Sequence, residues 1–292
     1  MAREEALEYN YIDNINVKNK GNLGQLVEEN FFGYERNNDP RPDFHEAGVE
    51  LKVTPYKINK NGSISAKERL ILTMIDYFSV IDETFEDSHL WQKANLILLI
   101  YYLFDANKES NLDYRIDYVK LFTPPENDIK IIKHDFELIV DKILRGKAHE
   151  LSESDTLYLG AASKASTSKD RRKQPKSDIL AKPRAFSYKN SYMTYVLNNY
   201  ILPGNRDEQI LKTETDIPFE EYVNRKIAEY KDKSIDELCD IFDLNKKNKP
   251  KHVEAMLAYR ILGIKGNKAE EFEKANVKVK AIRVTKNNKI RE

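Results

Sequence analysis

The residues best suited to chemistry lie between positions 42 and 55. With the two-residue period of a strand, Glu50 and Lys52 fall on one face and hydrophobic side chains on the other. Asp43 precedes them, beyond Gly48, a residue that suits a tight turn. Two carboxylates in one cleft suit Mg²⁺, which activates water and neutralises phosphate charge, and a lysine there could stabilise a pentacovalent phosphate. The pattern indicates a metal-dependent nuclease, although a charged strand edge without any chemistry has the same pattern.

The composition limits the class of protein. The chain has 292 residues, 40% hydrophobic and 33% charged, enough for one large domain or two smaller ones. Its formal net charge is zero, so any binding of nucleic acid must depend on local basic patches. Cys239 is the single cysteine, which excludes a disulfide framework and a cysteine zinc site. The most apolar run, residues 96–104, is too short to cross a bilayer, so we expect a soluble cytoplasmic protein with no membrane partner.

Helical and strand patterns surround the acidic pair. Residues 24–32 have helical periodicity, and Glu28 adjoins the apolar face, where it either reaches the cleft or remains a solvated glutamate. Residues 69–75 and 95–104 are apolar and branched, as in buried strands. Residues 129–146 predict an amphipathic helix that ends at a glycine. Lys93, before the second strand, could equally be a surface lysine.

A basic segment follows a short strand near Tyr158. The strand opens into small residues, which let a backbone approach a ligand closely. The following cations suit the phosphates of a nucleic acid, although a solvated basic loop is an equally good interpretation. They are Lys169, Arg171, Arg172, Lys173 and Lys176.

The last part of the chain repeats the pattern of the first. Residues 206–249 predict a helical connector, with a capping-box start at Ser234. Residues 271–281 then align with 43–53, with Lys278 in the place of Glu50. We therefore expect residues 250–292 to begin a degenerate second copy of the first module. Because that copy is incomplete, we expect this chain to be the N-terminal portion of a longer protein.

Five elements in a fixed order connect the sequence to a known family. They are Lys20-Gly21-x-x-Gly24-x-x-x-Glu28, Asp43-Phe44-x-x-x-Gly48-Val49-Glu50-Leu51-Lys52, Ser88-His89-x-x-x-Lys93, Gly146-Lys147-Ala148-His149-Glu150-Leu151-Ser152-Glu153, and Arg184-Ala185-Phe186. On these residues the chain resembles the MutH family of GATC-specific DNA endonucleases. The resemblance is strongest to its two-domain type II restriction enzymes, of the Sau-three-A-I type, and covers about residues 20–290.

The resemblance implies an α/β fold of the restriction-endonuclease type, a mixed sheet flanked by helices, with a catalytic domain over residues 1–205. It implies Mg²⁺ as the cofactor, held by Asp43, Glu50 and the backbone carbonyl of Leu51. The implied catalytic residues are Glu28, Asp43, Glu50, Lys52 and Lys93. Spacing within the family leaves Glu29 as an alternative to Glu28, and we prefer Glu28.

The resemblance also implies a DNA substrate and how it is read. Lys164 matches the main base-contacting lysine, and a lysine can donate to O6 and N7 of guanine. The remaining implied DNA-binding residues are Lys20, Gly21, Ser163, Arg171, Arg172, Ser187 and Lys189. The implied reaction is double-strand cleavage at GATC, before the G, with a DNA-induced dimer as a possible assembly. The alternative is a mismatch-repair enzyme that nicks one strand at GATC.

Overall fold

The structure, a computed structural model, describes residues 22–34, 41–108, 110, 113–167, 169–202, 204, 207–212, 217–244, 252–284 and 290–291. The chain divides into two compact units, Met1–Gly204 and Asn205–Glu292. We refer to them as the first unit and the second unit. None of the described helices is long and apolar enough to span a bilayer.

The first unit contains nine strands and four helices among its described residues. The strands are β1 (Glu50–Ile58), β2 (Ile64–Ala66), β3 (Leu70–Met74), β4 (Ile97–Leu103), β5 (Ile116–Phe122), β6 (Leu159–Ser163), β7 (Arg172–Gln174), β8 (Ser177–Ala181) and β9 (Arg184–Tyr188). The helices are α1 (Asn22–Leu26), α2 (His89–Ala94), α3 (Glu126–Leu144) and α4 (Asn190–Val196). Single π-helical turns, Val27–Phe31 and Leu197–Ile201, extend α1 and α4.

Two sheets form the framework of the first unit. The larger has the order β2-β1-β4-β5, with β1 parallel to β4 and the other two pairs antiparallel. The smaller, β3-β9-β6, is antiparallel throughout. The parallel pairing places Glu50 opposite Ile97 and Lys52 opposite Leu99. Ile97 and Leu99 are both buried on β4. This arrangement confirms the predicted mixed α/β fold.

Helix α3 supplies much of the core of the first unit. Its buried face follows the predicted helical period and includes Ile132, Phe136, Ile139 and Ile143. The ring of Phe136 lies 5.5 Å from that of Phe186 on β9, which packs the helix onto the smaller sheet. The helix ends before Gly146, whose φ of +72° is the left-handed conformation common after a helix.

The basic segment that follows β6 is not a simple loop. Strands β7 and β8 pair as a hairpin, with Gln174 opposite Ser177. The two residues of the turn are Pro175 and Lys176, and Lys176 has a φ of 55°. A type II turn has this combination of proline and positive φ, but its third position normally favours glycine or asparagine. The expectation of a loop over this segment is therefore wrong.

The second unit is mainly helical in its described part. Its elements are α5 (Phe219–Ala228), α6 (Ile235–Ile241), α7 (Val253–Ile261), α8 (Glu270–Ala275), β10 (Arg283–Val284) and β11 (Ile290–Arg291). The predicted capping box at Ser234 is present at the start of α6. Leu238 and Cys239 of α6 share one hydrophobic cluster with Val253 and Leu257 of α7, so the expected division near residue 250 falls inside a packed unit.

The predicted repeat of the β1 strand is wrong in its secondary structure. Glu271 and Phe272 lie in α8 rather than in a turn, and residues 277–282 form no strand. Val277 and Lys278 are exposed, so this alternating segment has no sheet face on which to bury its apolar side chains.

Candidate active site

A tight turn brings Asp43 back to the start of β1. Phe44 and Val49 exchange backbone hydrogen bonds of 2.9 and 3.2 Å, and Gly48 between them has a φ of +65°. The amide of Leu51 then donates to Asp43 Oδ2 at 2.8 Å, and the amide of Asp43 donates to Glu50 Oε2 at 3.3 Å. Both carboxylates are therefore fixed by backbone groups of the same short segment.

Two lysines balance the charge of Glu50. This carboxylate is only 2% exposed, and Lys52 Nζ lies 2.5 Å from its Oε1. Lys93 Nζ approaches from α2, 3.1 Å from Oε2 and 3.3 Å from Oε1. The side chains of Lys52 and Lys93 are 21% and 12% exposed, so the group is open to solvent on the lysine side. A buried carboxylate requires such partners, because desolvation of an unpaired charge is costly.

The start of β4 explains how Lys93 reaches the acidic pair. Ser88 caps α2, and its hydroxyl accepts from the amide of Trp91 at 3.0 Å. The helix leads directly into β4, which is parallel to β1, and the amide of Glu50 donates to the carbonyl of Leu96 at 3.0 Å. The last turn of α2 is consequently held beside the first residue of β1.

Glu28 lies near this group on the π-helical turn. It is half-buried, whereas Glu29 is exposed. Burial raises the pKa of Glu28, and the carboxylate of Asp43 raises it further, while Lys52 lowers it. Glu28 is thus the less exposed of the two glutamates, and the preference for it over Glu29 stays a prediction.

The donor groups suit a hard divalent cation. Carboxylate oxygens of Asp43 and Glu50 are the ligands that Mg²⁺ prefers, and two ammonium groups already place positive charge against Glu50. In the part of the chain that the structure describes, no three aspartate, glutamate, histidine or cysteine side chains are close enough to form a complete metal site. Two carboxylates fit a Mg²⁺ ion that completes its shell with water and substrate, as this ion usually does.

Four of the DNA-binding residues implied by the resemblance lie on the surface. Ser163 and Lys164 are exposed at the end of β6, where the amide of Lys164 donates to the carbonyl of Pro183 at 2.8 Å. Arg171 and Arg172 are exposed at the start of the β7–β8 hairpin. Lys20 and Gly21, also implied, lie outside the described residues.

The structure contradicts a direct DNA contact by Ser187 and gives Lys189 another role. Ser187 is completely buried in β9, which has a neighbour strand on each side, and its hydroxyl donates to the carbonyl of Gly160. The ammonium of Lys189 is half-buried and donates to the carbonyls of Glu153 and Thr156. Burial lowers its pKa. These two hydrogen bonds use two of the three N–H donors of the ammonium.

Sequence reasoning missed Asp135 and Arg184. Asp135 lies on the buried face of α3 and accepts from the amides of Leu157, Tyr158 and Leu159 at 2.7–2.9 Å. Arg184 donates to the carbonyls of Leu151 and Ala161. The available signal was an aspartate within an otherwise apolar helix face, because buried charges almost always have partners.

A mixed α/β sheet with Asp43, Glu50 and Lys52 at the start of one strand is the architecture of restriction-endonuclease-like proteins. The model of the family described as the DNA mismatch repair enzyme MutH matches residues 32–135, which include the group from Asp43 to Lys93. Over those residues the chain is similar to the MutH family, and the similarities described next extend over more of its length.

The chain is similar to both restriction and repair proteins. The type II restriction enzyme Sau3AI from Staphylococcus aureus is 40% identical over 284 residues, which are 93% of this chain and 57% of that enzyme. The mismatch repair protein MutH of Shewanella woodyi is 29% identical over 49% of this chain and 60% of that protein. The MutH protein of Vibrio vulnificus is 27% identical over 62% of this chain and 79% of that protein. The chain therefore spans less than two thirds of the length of the first two relatives.

Proposed function

We propose that this chain contains the catalytic domain of a Mg²⁺-dependent type II restriction endonuclease that cleaves double-stranded DNA at GATC, before the G. The observation that carries the proposal is the group of Asp43, Glu50, Lys52 and Lys93, joined by contacts of 2.5–3.3 Å. The 40% identity to a type II restriction enzyme favours this activity over other nuclease activities. A cytoplasmic location agrees with a DNA substrate and a single buried thiol.

The carboxylates of Asp43 and Glu50, with the carbonyl of Leu51, would hold the Mg²⁺ ion. When bound, such an ion acts as a Lewis acid on a phosphoryl oxygen and lowers the pKa of water. Lys52 is placed to orient the attacking water or to stabilise the charge that develops on the phosphate, because its ammonium remains partly open to solvent. Lys93 forms an ion pair with Glu50 and would contact the same phosphate. Glu28 is proposed as the third acidic member.

We assign recognition of the GATC sequence to the end of β6 and contacts with the DNA backbone to the β7–β8 hairpin. Lys164 would donate to a guanine in the major groove, beside Ser163, and Arg171 and Arg172 would contact phosphates. Lys164→Ala should lose discrimination against altered GATC sites by about 1–3 kcal/mol. Arg172→Ala should instead weaken binding to every sequence and reduce its salt dependence. An equal loss of affinity for all sequences in Lys164→Ala would mean that Lys164 contacts only phosphate.

A second candidate is a mismatch-repair enzyme that nicks one strand at GATC, because the matching family model is that of a repair enzyme. The test is a digest of unmethylated, hemimethylated and fully methylated GATC duplexes with Mg²⁺. Double-strand cuts support restriction, and nicks confined to one strand support repair. No cleavage of any of the three duplexes would contradict both candidates, provided that a duplex without GATC and a reaction without Mg²⁺ serve as controls.

Although residues 277–282 form no strand, we further propose, from the alignment of residues 271–281 with 43–53, that residues 250–292 begin a degenerate second copy that binds no metal. Both carboxylate oxygens of Glu271 accept backbone amides, those of Ile210 at 2.9 Å and Leu211 at 2.8 Å, and the side chain is buried. In a longer protein such a copy would bind a second GATC site and favour a DNA-induced dimer. A protein with the complete second module that showed no preference for DNA with two sites over DNA with one would contradict this role.

A further inference from the structure

Asp135 is a buried carboxylate that the proposed chemistry does not use. It is 1% exposed, on the inner face of α3 among Ile132, Phe136 and Ile139. Its Oδ1 accepts from the amide of Leu157 at 2.8 Å, and its Oδ2 accepts from those of Tyr158 and Leu159 at 2.7 and 2.9 Å. One side chain therefore satisfies three consecutive amides at the beginning of β6.

These hydrogen bonds offset the free-energy cost of burying the Asp135 carboxylate. Burial raises the pKa of Asp135 to about 6, and the three amides and Lys189 act in the opposite direction. An apolar residue here would pack with its neighbours, but it would leave three amides without this acceptor, two of which precede the strand. The carboxylate thus fixes where β6 begins.

The far end of the same strand carries the residues assigned to DNA reading. Strand β6 is an edge strand of five residues, and its middle residues are Gly160, Ala161 and Ala162. Such small side chains offer little packing to fix the position of the strand along its axis. With a rise of about 3.3 Å per residue, Ser163 lies only about 13 Å beyond Leu159, so a shift at one end moves the other end.

Three polar anchors together determine the path of this segment. Asp135 holds its start, Arg184 donates to the carbonyl of Ala161 in its middle at 2.6 Å, and Pro183 accepts from the amide of Lys164 at its end. Of these, Asp135 is the one that comes from a helix.

We propose that Asp135 is a positioning residue for DNA recognition, which sets the register of β6 and thereby the place of the Lys164 ammonium against the bases. This inference rests on the proposed function of Lys164. It predicts that a change at Asp135 alters the choice between sequences, and not only stability or the overall rate.

The test compares Asp135→Asn with Asp128→Asn. Asparagine keeps one oxygen acceptor but presents an NH₂ group to the remaining amides, so it cannot satisfy all three. Asp128 is a buried carboxylate on the same helix that accepts from the hydroxyl of Tyr192 at 3.0 Å. Each variant is measured for kcat/KM on GATC and on single-base variants of it, for affinity to unrelated duplex DNA, and for hydrogen exchange over residues 157–164.

We expect Asp135→Asn to reduce the ratio of kcat/KM between GATC and altered sites by about fivefold to about a hundredfold. Affinity for unrelated DNA should change little, because the arginines lie on the separate hairpin. Exchange over 157–164 should accelerate in Asp135→Asn and not in Asp128→Asn. The proposal is overturned if exchange in this segment is unchanged, if both variants lose discrimination equally, or if Asp135→Asn lowers kcat/KM on all sequences by the same factor. A wild-type protein that cuts no GATC duplex would contradict the proposed function. Hydrogen exchange over residues 157–164 in Asp135→Asn would still test, independently of cleavage, whether Asp135 anchors β6.

Discussion

Each unit of this chain contains a carboxylate buried beside lysine, and the two sites differ in their access to solvent. Glu50 of the first unit contacts Lys52 and Lys93, whose side chains remain partly exposed. Glu270 of the second unit contacts Lys274 at 2.5 Å, and neither side chain is more than 2% exposed. A substrate phosphate or a cation can reach the first ion pair but not the second.

Exposure to solvent is what the first ion pair has and the second lacks. In both units a carboxylate accepts backbone amides, Asp43 from Leu51 and Glu271 from Ile210 and Leu211. Acidic and basic residues at short spacing are therefore insufficient to define a nuclease site. In the first unit, Lys52 and Lys93 contact the buried carboxylate of Glu50 and also remain partly exposed to solvent.

The largest expected effect is the loss of cleavage in Asp43→Ala. Removal of a ligand for the proposed Mg²⁺ ion should lower kcat by at least about 10²–10³-fold, while specific DNA binding persists because it depends on basic residues elsewhere. Mg²⁺ should raise the melting temperature of the wild type and not that of the variant. The matched control is Glu46→Ala, an exposed carboxylate in the same turn. Cleavage by Asp43→Ala at a near-normal rate would contradict the assignment of Asp43 as a metal ligand in the active site.

Replacement of one lysine in each unit should give opposite results. Lys52→Met should abolish cleavage with a small effect on stability, because Lys93 still balances Glu50. Lys274→Met should preserve cleavage but destabilise the second unit by about 3–5 kcal/mol, since it removes the cation beside a buried carboxylate.

Denaturant unfolding and cleavage assays of both variants measure this contrast. The double variant Glu270→Leu/Lys274→Met is the control, and it should recover most of the lost stability, because apolar replacements of a buried ion pair are often neutral. Loss of cleavage in a well-folded Lys274→Met protein would show that the second ion pair takes part in the reaction.

The smallest expected effect is that of Glu271→Gln. The amide side chain keeps one oxygen acceptor, so one of the two backbone donors loses its partner, at a cost of about 1–3 kcal/mol. Cleavage should be unchanged. Glu273→Gln, at an exposed position of the same helix, should leave the melting temperature as it is. Equal melting temperatures for these two variants would contradict a stabilising role for Glu271.

Local patterns predicted the parts of the site that lie close in sequence. The alternation along β1 placed Glu50 and Lys52 on one face, and Gly48 indicated the turn that returns Asp43. The contact of Lys93 with Glu50 joins two elements far apart in the sequence, so only the family resemblance suggested it. Periodicity alone could not show that a lysine before β4 would face the acidic pair.

Other predictions failed because tertiary context overrode a local signal. The β7–β8 turn places Lys176 at positive φ, where glycine is the usual signal, and the hairpin was consequently missed. Ser187 was aligned with a DNA contact, but the central position of β9 in its sheet buries it. Residues 277–282 have the alternating pattern of a strand but form none.

The parallel pairing of β1 with β4 has a consequence for the order of folding. Glu50 lies opposite Ile97, and Lys93 arrives from the helix that precedes β4, so Lys93 joins Asp43, Glu50 and Lys52 only after a long segment has closed. Contacts of this non-local kind form slowly and late. During synthesis, a ribosome-bound chain that ends before α2 has neither β4, the parallel partner of β1, nor Lys93. Until α2 and β4 have been synthesised, the group proposed as the active site is therefore incomplete.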